Sequence, residues 1–526
     1  MGQIEALIFL LGMAALLAQL ARVARVPYPI FLVLGGLTLG FTPGLPTVEI
    51  PPEVIFVIFL PPLLNSSAYA FSPLDLRAHL RAITLLSVGL VLLTTLGVAA
   101  VAHFVVGLPW AASFVLGAIL APTDPVAAEA IFRRLGVPER VGTVVGGESL
   151  INDGTGLVAF RVALVAVTTG TFSLWEAGLD FLLVGGGGIL FGLVVARVVL
   201  PLWGRLRDPS IQITFSVLIP YGVYICSERL LGVSGILAVV AYGMVQGWRA
   251  PRLFANASTR IQAVAFWGVL VFVLEALLFV LVGQQLPSII GNLGEYAFWQ
   301  ILLYAALVYV ALLLTRTAFF FTVPYLHPVF DRLLRSRYGR GTPQEYLVMS
   351  WSGMRGGVSL AAALTVPTVV DGQAYEVRDL ILFITFAVIL ATLVLQGLTL
   401  PTLINRLRLE GETDTTAELR ARLEGARAAL DRLERMCAEN SLPPQNEQGM
   451  RDYYEDRIRR YESGIEAGGV TREYAESSAT WRNWRRDLIE AEREAIIRMR
   501  DMGEISPETM RRIERDLDLE ESRIGG

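Results

Sequence analysis

The chain has 526 residues, 54% hydrophobic and 17% charged, with a mean hydropathy of +0.54 and a formal net charge of −4. Soluble globular proteins carry about 25% charged residues, so this composition excludes an all-soluble chain and indicates a membrane protein with a polar part attached. Every one of the 44 Lys-or-Arg positions is Arg, and Cys226 and Cys437 lie in different regions, which suggests no disulfide framework.

The first apolar stretch opens at Ile4, with no basic segment before it and no small-residue cleavage site after it, so it reads as a retained span. A bilayer core of about 30 Å needs roughly 20 apolar residues in a helix. Thirteen such stretches follow one another near 3–21, 27–42, 52–70, 82–106, 110–131, 141–168, 175–203, 210–228, 231–248, 259–286, 296–325, 344–366 and 379–405. Residues 1–409 hold 24 Arg against 20 acidic residues, and 410–526 hold 20 Arg against 28. This divides the chain into a transmembrane domain, 1–409, and an acidic helical domain, 410–526.

With thirteen spans, one set of alternate loops holds Arg22, Arg25, Arg77, Arg81, Arg133, Arg134, Arg140, Arg205, Arg207, Arg249, Arg252, Arg260, Arg332, Arg335, Arg337 and Arg340. The other set holds only Arg229 and Arg378. The positive-inside rule makes the first set cytoplasmic, the N-terminus external and the tail cytosolic. Thirteen is also six plus one plus six, the plan of transporters built from two inverted repeats with a discontinuous helix at the same place in each half. Span five is interrupted by Pro122-Thr123-Asp124-Pro125 and span twelve by Gly353-Met354-Arg355-Gly356-Gly357. The expected fold is therefore an all-α polytopic membrane protein: two six-helix inverted repeats with crossed discontinuous helices at spans five and twelve, and a helical cytosolic tail. Ordinary proline kinking and small-residue packing are the plainer explanation of each break.

Ionisable groups at membrane depth are expensive and mark transport pathways. Asp124, Glu148 and Asp153 fall within thirty residues on consecutive spans. The two prolines free carbonyls near Thr123, while Ser149 and Asp153, four apart, share one helical face beside Asn152 and Glu148. Carbonyl, hydroxyl and carboxylate oxygens suit a hard alkali cation. It would sit between Asp153 and Ser149 on one helix and Asp124 and the Thr123 carbonyl on the other. A cation and a proton then compete for one carboxylate, which with alternating exposure is enough for coupled exchange.

Thr123-Asp124-Pro125, Glu148-Ser149-Leu150-Ile151-Asn152-Asp153 and Gly353-Met354-Arg355-Gly356-Gly357, in this order, resemble the monovalent cation:proton antiporter family 1, of the sodium/proton exchanger type, bacterial branch. The resemblance covers about residues 1–409 and includes Leu60-Pro61-Pro62-Leu63-Leu64. It implies a cell-membrane antiporter, not an enzyme, that exchanges Na⁺ (or Li⁺ or K⁺) for H⁺ in sodium transport and pH homeostasis, without a cofactor and as a homodimer joined by early spans of each half. Asp153 would alternate between cation and proton, with Asp124, Ser149 and Thr123 completing the transported-cation site. Glu148 would pair with Arg316, the one arginine of span eleven, and a purely structural pair is the preferred reading over direct ligation of the cation by Glu148. Asn152 stands where electrogenic relatives carry a second aspartate, implying one-for-one, electroneutral exchange. Relatives often place an acid just after the Leu-Pro-Pro-Leu-Leu string. Here Asn65-Ser66-Ser67 follows, so Asn65 or Ser66 would offer only a neutral oxygen.

Other polar residues carry weaker expectations. Arg355 either bonds carbonyls freed at its break or takes part in pH response. Arg161 snorkels toward the outer interface. Glu275 has an accessory or gating role, or makes a helix-to-helix hydrogen bond. His79, His103 and His327 are scattered and form no ligand cluster. Gly185–Gly188 invite close helix packing, since neither a strand nor Lys makes them a phosphate loop. In the tail, apolar spacing predicts helices near 415–439, 448–466, 471–502 and 506–520, broken at Leu442-Pro443-Pro444, Gly468-Gly469 and Ser506-Pro507. Trp481, Trp484, Ile489, Ile496, Ile497 and Met499 supply a small core or a dimer contact there. The tail is either a regulatory or dimer-stabilising domain or a solvated helical appendage, and it holds no nucleotide-binding motif. The rival functions are a K⁺/H⁺ antiporter of the same fold, a cation channel with the same oxygens lining a continuous pore, and an enzyme or sensor merely anchored in the membrane.

Overall fold

In a computed structural model of the chain, the described residues are 3–24, 27–42, 52–170, 174–253, 257–284, 286–292, 297–322, 341–370, 373–375, 377–409, 415–438 and 444–466, with 484, 487–499 and a few positions between 502 and 521. His327, Arg332, Arg335, Arg337, Arg340, Trp481 and the breaks expected at Leu442-Pro443, Gly468-Gly469 and Ser506-Pro507 lie outside them.

The chain divides into two compact units, Met1–Gly411 and Glu412–Gly526. The first is helical almost throughout: α1 (Gln3–Ala24), α2 (Tyr28–Phe41), α3 (Pro52–Ala70), α4 (Pro73–Thr84), α5 (Val91–Val101), α6 (Trp110–Leu120), α7 (Val126–Leu135), α8 (Glu139–Thr169), α9 (Leu174–Trp203), α10 (Pro209–Ile225), α11 (Gly235–Leu253), α12 (Ala257–Gln284), α13 (Leu286–Asn292), α14 (Phe298–Thr322), α15 (Pro343–Trp351), α16 (Gly357–Leu364), α17 (Val377–Ala391) and α18 (Gly397–Leu407). Short π-helical stretches, Leu85–Leu90 and Thr392–Gln396, join α4 to α5 and α17 to α18 without a break in the rod. The strands found among the described residues are a two-residue antiparallel ladder, Val369 opposite Ala374 and Val370 opposite Gln373. Seven described helices are long and apolar enough to cross a membrane, and four more apolar helices are shorter.

Local chemistry sets many of the boundaries. Asp208 caps α10 by accepting from the Ile211 amide at 2.9 Å, with Pro209 at the first helical position. Thr342 and Glu345 form a reciprocal capping box on α15. Inside α3, Pro62 has no N–H to give the Ile58 carbonyl; the Tyr221 hydroxyl of α10 donates to that carbonyl instead, at 2.8 Å. The span predicted from residue 82 begins as a helix at Pro73. Its first turns carry Arg77, His79 and Arg81, so a hydropathy criterion starts it late.

Two buried clusters hold this unit together. One surrounds the interrupted helices, with Leu116, Ile119, Leu120, Met354, Leu360 and Ile384. The other lies among α3 and α9–α11, with Leu60, Leu64, Ala196, Tyr242 and Val239. Between α2 and α12 the backbones touch: a Cβ on Gly36 or Gly283 would overlap the main chain of the opposite helix. Such contact is the usual way helices associate where the solvent is itself apolar.

In the second unit α19 (Thr415–Ala438) and α20 (Pro444–Glu466) pack side by side. Leu419, Leu423, Ala426 and Leu433 are buried, and Arg427 bridges to Glu462 at 2.8 Å. Ile489 and Leu517 form a small cluster with Ile496 and Ile513. Trp484 and Met499, expected to add to a core or dimer contact, are exposed within this unit.

Candidate functional site

The two interruptions meet. An unbroken α6 would bond the Asp124 amide to the Leu120 carbonyl, four residues back. Here the Asp124 amide donates instead to the Met354 carbonyl in the second break, at 2.7 Å. The Leu120 carbonyl accepts from Arg355 Nε at 3.0 Å. One intrahelical bond has become two bonds across the crossing, so both breaks are satisfied by each other. Arg355 also donates through Nη1 to the Gly353 carbonyl, and its amide donates to Thr392 Oγ1 at 3.1 Å. Its guanidinium is fully enclosed.

Asp124 uses one oxygen to accept from the Val126 amide at 3.0 Å, capping the start of α7. Against its other face lies Gly356, where any Cβ would overlap the carboxylate. Asp153, on α8, lines the same cavity as Asp124. Both aspartates are partly exposed to that space, unlike the fully buried Glu148 one turn earlier.

Between α6–α7 and α8 runs a compact polar cluster. Asn152 Nδ2 donates to Thr123 Oγ1 at 2.8 Å, and Thr123 Oγ1 lies 3.1 Å from Ser149 Oγ and 3.4 Å from Glu148 Oε1. Glu148 holds Arg316 of α14 through both carboxylate oxygens, the Oε2 contact being 2.8 Å. Arg316 also donates to the Met349 carbonyl from Nε and Nη2, at 3.2 and 3.1 Å. Glu148 and Arg316 are only 1% and 2% exposed, so neither charge faces the cavity. A buried bidentate pair of this kind satisfies both partners and leaves Glu148 no spare oxygen for a passing ion.

The cavity measures about 1580 Å³. Thr123, Asp124, Ser149 and Asp153 line it together with Arg133, Glu139 and Arg260. Arg133 follows Asp124 by nine residues along α7 and Glu139 precedes Ser149 by ten along α8, about 14–15 Å at the helical rise. Asn65 and Ser66 of α3 also face it, and the buried Asn65 amide oxygen accepts no hydrogen bond from the described residues. Arg161 does not stand alone at a helix end: it pairs with Glu228, whose other oxygen accepts from the Gly235 amide at 3.0 Å. His103 bonds the Leu108 carbonyl at 2.8 Å and stacks on Trp110, away from the cavity residues.

Three features were not anticipated from sequence. Tyr28 of α2 donates to Glu275 of α12, and both line the cavity. Gly356 is the wall behind Asp124. Gln246 of α11 lines the same space, its amide oxygen without a partner among the described residues. For Gly356 the glycine pair in the motif was a usable signal. Glu275 carries the expected helix-to-helix hydrogen bond, but nothing in the sequence points to Tyr28, 247 residues away, as its partner.

A family profile described as "Sodium/hydrogen exchanger, transmembrane" matches residues 8–406. An uncharacterised Na⁺/H⁺ exchanger of Escherichia coli, YjcE, is 31% identical, covering 95% of this chain and 94% of its own length. The Na⁺/H⁺ antiporter ApNhaP of Aphanothece halophytica is 34% identical, covering 82% of this chain and 79% of its own. A sodium, potassium, lithium and rubidium/H⁺ antiporter of Bacillus pumilus is 33% identical over 85% and 70%. Among solved structures, the sodium proton antiporter MjNhaP1 of Methanocaldococcus jannaschii superposes with a TM-score of 0.62 at 23% identity, covering 77% of this chain and 98% of that one, a likeness of fold.

Proposed function

The chain belongs to the sodium/hydrogen exchanger family, and from that premise we propose that its membrane unit exchanges Na⁺ for H⁺ through a single shared carboxylate, Asp153. The observation that carries this reading is the cavity lined by residues of both crossed breaks, with Asp124 and Asp153 both on its wall. A carboxylate reached by water from one side can bind a proton or an alkali cation, and binding one displaces the other. Asp124, Ser149 and Thr123 supply the further oxygens for the transported ion. Coupling then needs only that the loaded site be exposed alternately to the two sides. Such a protein is a carrier: beyond the reversible protonation of its own carboxylate it leaves both transported ions chemically unchanged.

Finer features of the reading rest on particular residues. Asn152 is uncharged, buried and bonded to Thr123, which supports one-for-one exchange without net charge movement. The Arg-rich loops mark the cytoplasmic side of the cell membrane, with the N-terminus outside and residues 410–526 inside. Arg133 and Arg260, both from that set, line the cavity, which supports an opening toward the cytoplasm. Thirteen crossings in two inverted repeats, and a homodimer joined by early spans of each half, complete the arrangement.

The test is reconstitution into vesicles containing a pH-sensitive dye. Inward gradients of Na⁺, Li⁺ and K⁺ applied in turn should alkalinise the lumen, with Na⁺ effective and the rate insensitive to a clamped membrane potential. Asp153→Asn should abolish the signal while the protein still inserts. Exchange retained by Asp153→Asn, or cation flux without proton movement, would refute the assignment, the latter in favour of a channel.

A further inference from the structure

Glu275 is the one acidic residue of α12, and among the described residues its hydrogen bond comes from Tyr28 alone. α12 presents Arg260, Val264, Trp267, Val271, Glu275 and Leu278 to the cavity. Steps of three and four make these one helical face. At 1.5 Å per residue they span about 27 Å of cavity wall. Glu275 lies near the inner end of that wall. One turn beyond it, Leu278 packs on Gly357, where an added Cβ would meet Leu278 Cγ at 2.5 Å, and the adjoining Gly356 backs on Asp124.

Asp124 and Glu129, both acidic, line the same cavity as Glu275, and no guanidinium pairs with it among the described residues. A strut between α2 and α12 would not need this arrangement. Those helices already touch backbone to backbone through Gly36 and Gly283, and a neutral glutamine would accept from Tyr28 without burying a charge. A carboxylate kept beside other carboxylates, at the inner end of a water-accessible cavity, is stabilised when a cation comes to it.

We propose that Glu275 is a cation-recruiting residue of the exchange pathway, drawing the alkali ion to the inner end of the cavity and passing it to Asp124 and Asp153, with Tyr28 as the residue that positions its carboxylate. This rests on the antiport reading of Asp153. Fixed charge in a cleft raises the local counter-ion concentration by about tenfold or more, so Glu275 acts on apparent affinity more than on turnover.

The experiment is dye-reported exchange in vesicles, with KM for Na⁺ and kcat measured for the wild type, Glu275→Gln and Tyr28→Phe. Expected is a rise in KM of about tenfold for Glu275→Gln, exceeding any fall in kcat, and a smaller rise for Tyr28→Phe. Glu275→Asn removes the same charge and carries the same expectation should the glutamine variant fail to insert. An unchanged KM, a fall confined to kcat, or a larger effect from Tyr28→Phe than from Glu275→Gln would assign the pair to packing and overturn the proposal. Asp153→Asn, run alongside, separates the two readings. Its loss of exchange together with an unchanged Glu275→Gln KM sinks only the role of Glu275, whereas exchange surviving in Asp153→Asn sinks the antiport reading itself.

Discussion

The two interruptions at the centre of the membrane unit use opposite chemistry. The first, at Pro122–Pro125, loses backbone donors to proline, and its one ionisable side chain, Asp124, turns toward the cavity. The second, at Gly353–Gly357, keeps its donors and gains conformational freedom from glycine. Its one ionisable side chain, Arg355, turns inward to carbonyls of both breaks. Freed carbonyls are tolerated at membrane depth only when something else satisfies them. Arg355 does that for both segments, which leaves the acidic one at liberty to handle ions. One break is framework, the other is chemistry.

That division of labour ranks the effects of substitution on stability. Arg355→Ala should have the largest effect, because it orphans two buried carbonyls at about 1–3 kcal/mol each and leaves a cavity. The melting temperature in detergent should fall clearly, with exchange falling in step with the folded fraction. Gly356→Ala comes next. Its Cβ overlaps the Asp124 carboxylate, and overpacking of this kind costs about 1–3 kcal/mol. Exchange should fall further than the melting temperature explains, since the displaced group is the ion-facing one. Asp124→Asn should disturb stability least, because the amide oxygen can still cap Val126, yet exchange should be nearly lost. If Asp124→Asn lowered the melting temperature as much as Arg355→Ala does, the separation into framework and chemistry would be wrong.

Much of this arrangement was visible in the sequence, for a definable reason. Apolar stretches announce membrane helices one at a time, and the Pro-Thr-Asp-Pro and Gly-Met-Arg-Gly-Gly strings announce where a helix stops. Of the three acids that fall within thirty positions of one another, Asp124 and Asp153 line the cavity and Glu148 is buried against Arg316. Pairings between distant helices were less accessible. Spacing places Glu275 on α12 but says nothing of Tyr28 facing it from α2. Hydropathy carries Arg161 to a membrane interface but not to Glu228, which neutralises it. The close approach of Gly356 to Asp124 depends on how two breaks cross, a tertiary fact that neither segment encodes alone. In the tail, amphipathic spacing found α19 and α20, whereas exposed Trp484 shows that an aromatic residue in a helical pattern need not be core.

Competition at one carboxylate has a direct signature in purified protein. Na⁺ added to the detergent-solubilised chain in weakly buffered solution should release about one proton for each ion bound, and Asp153→Asn should release none. Sodium binding by the wild-type protein without proton release, or equal release from Asp153→Asn, would contradict the assignment of both ions to Asp153.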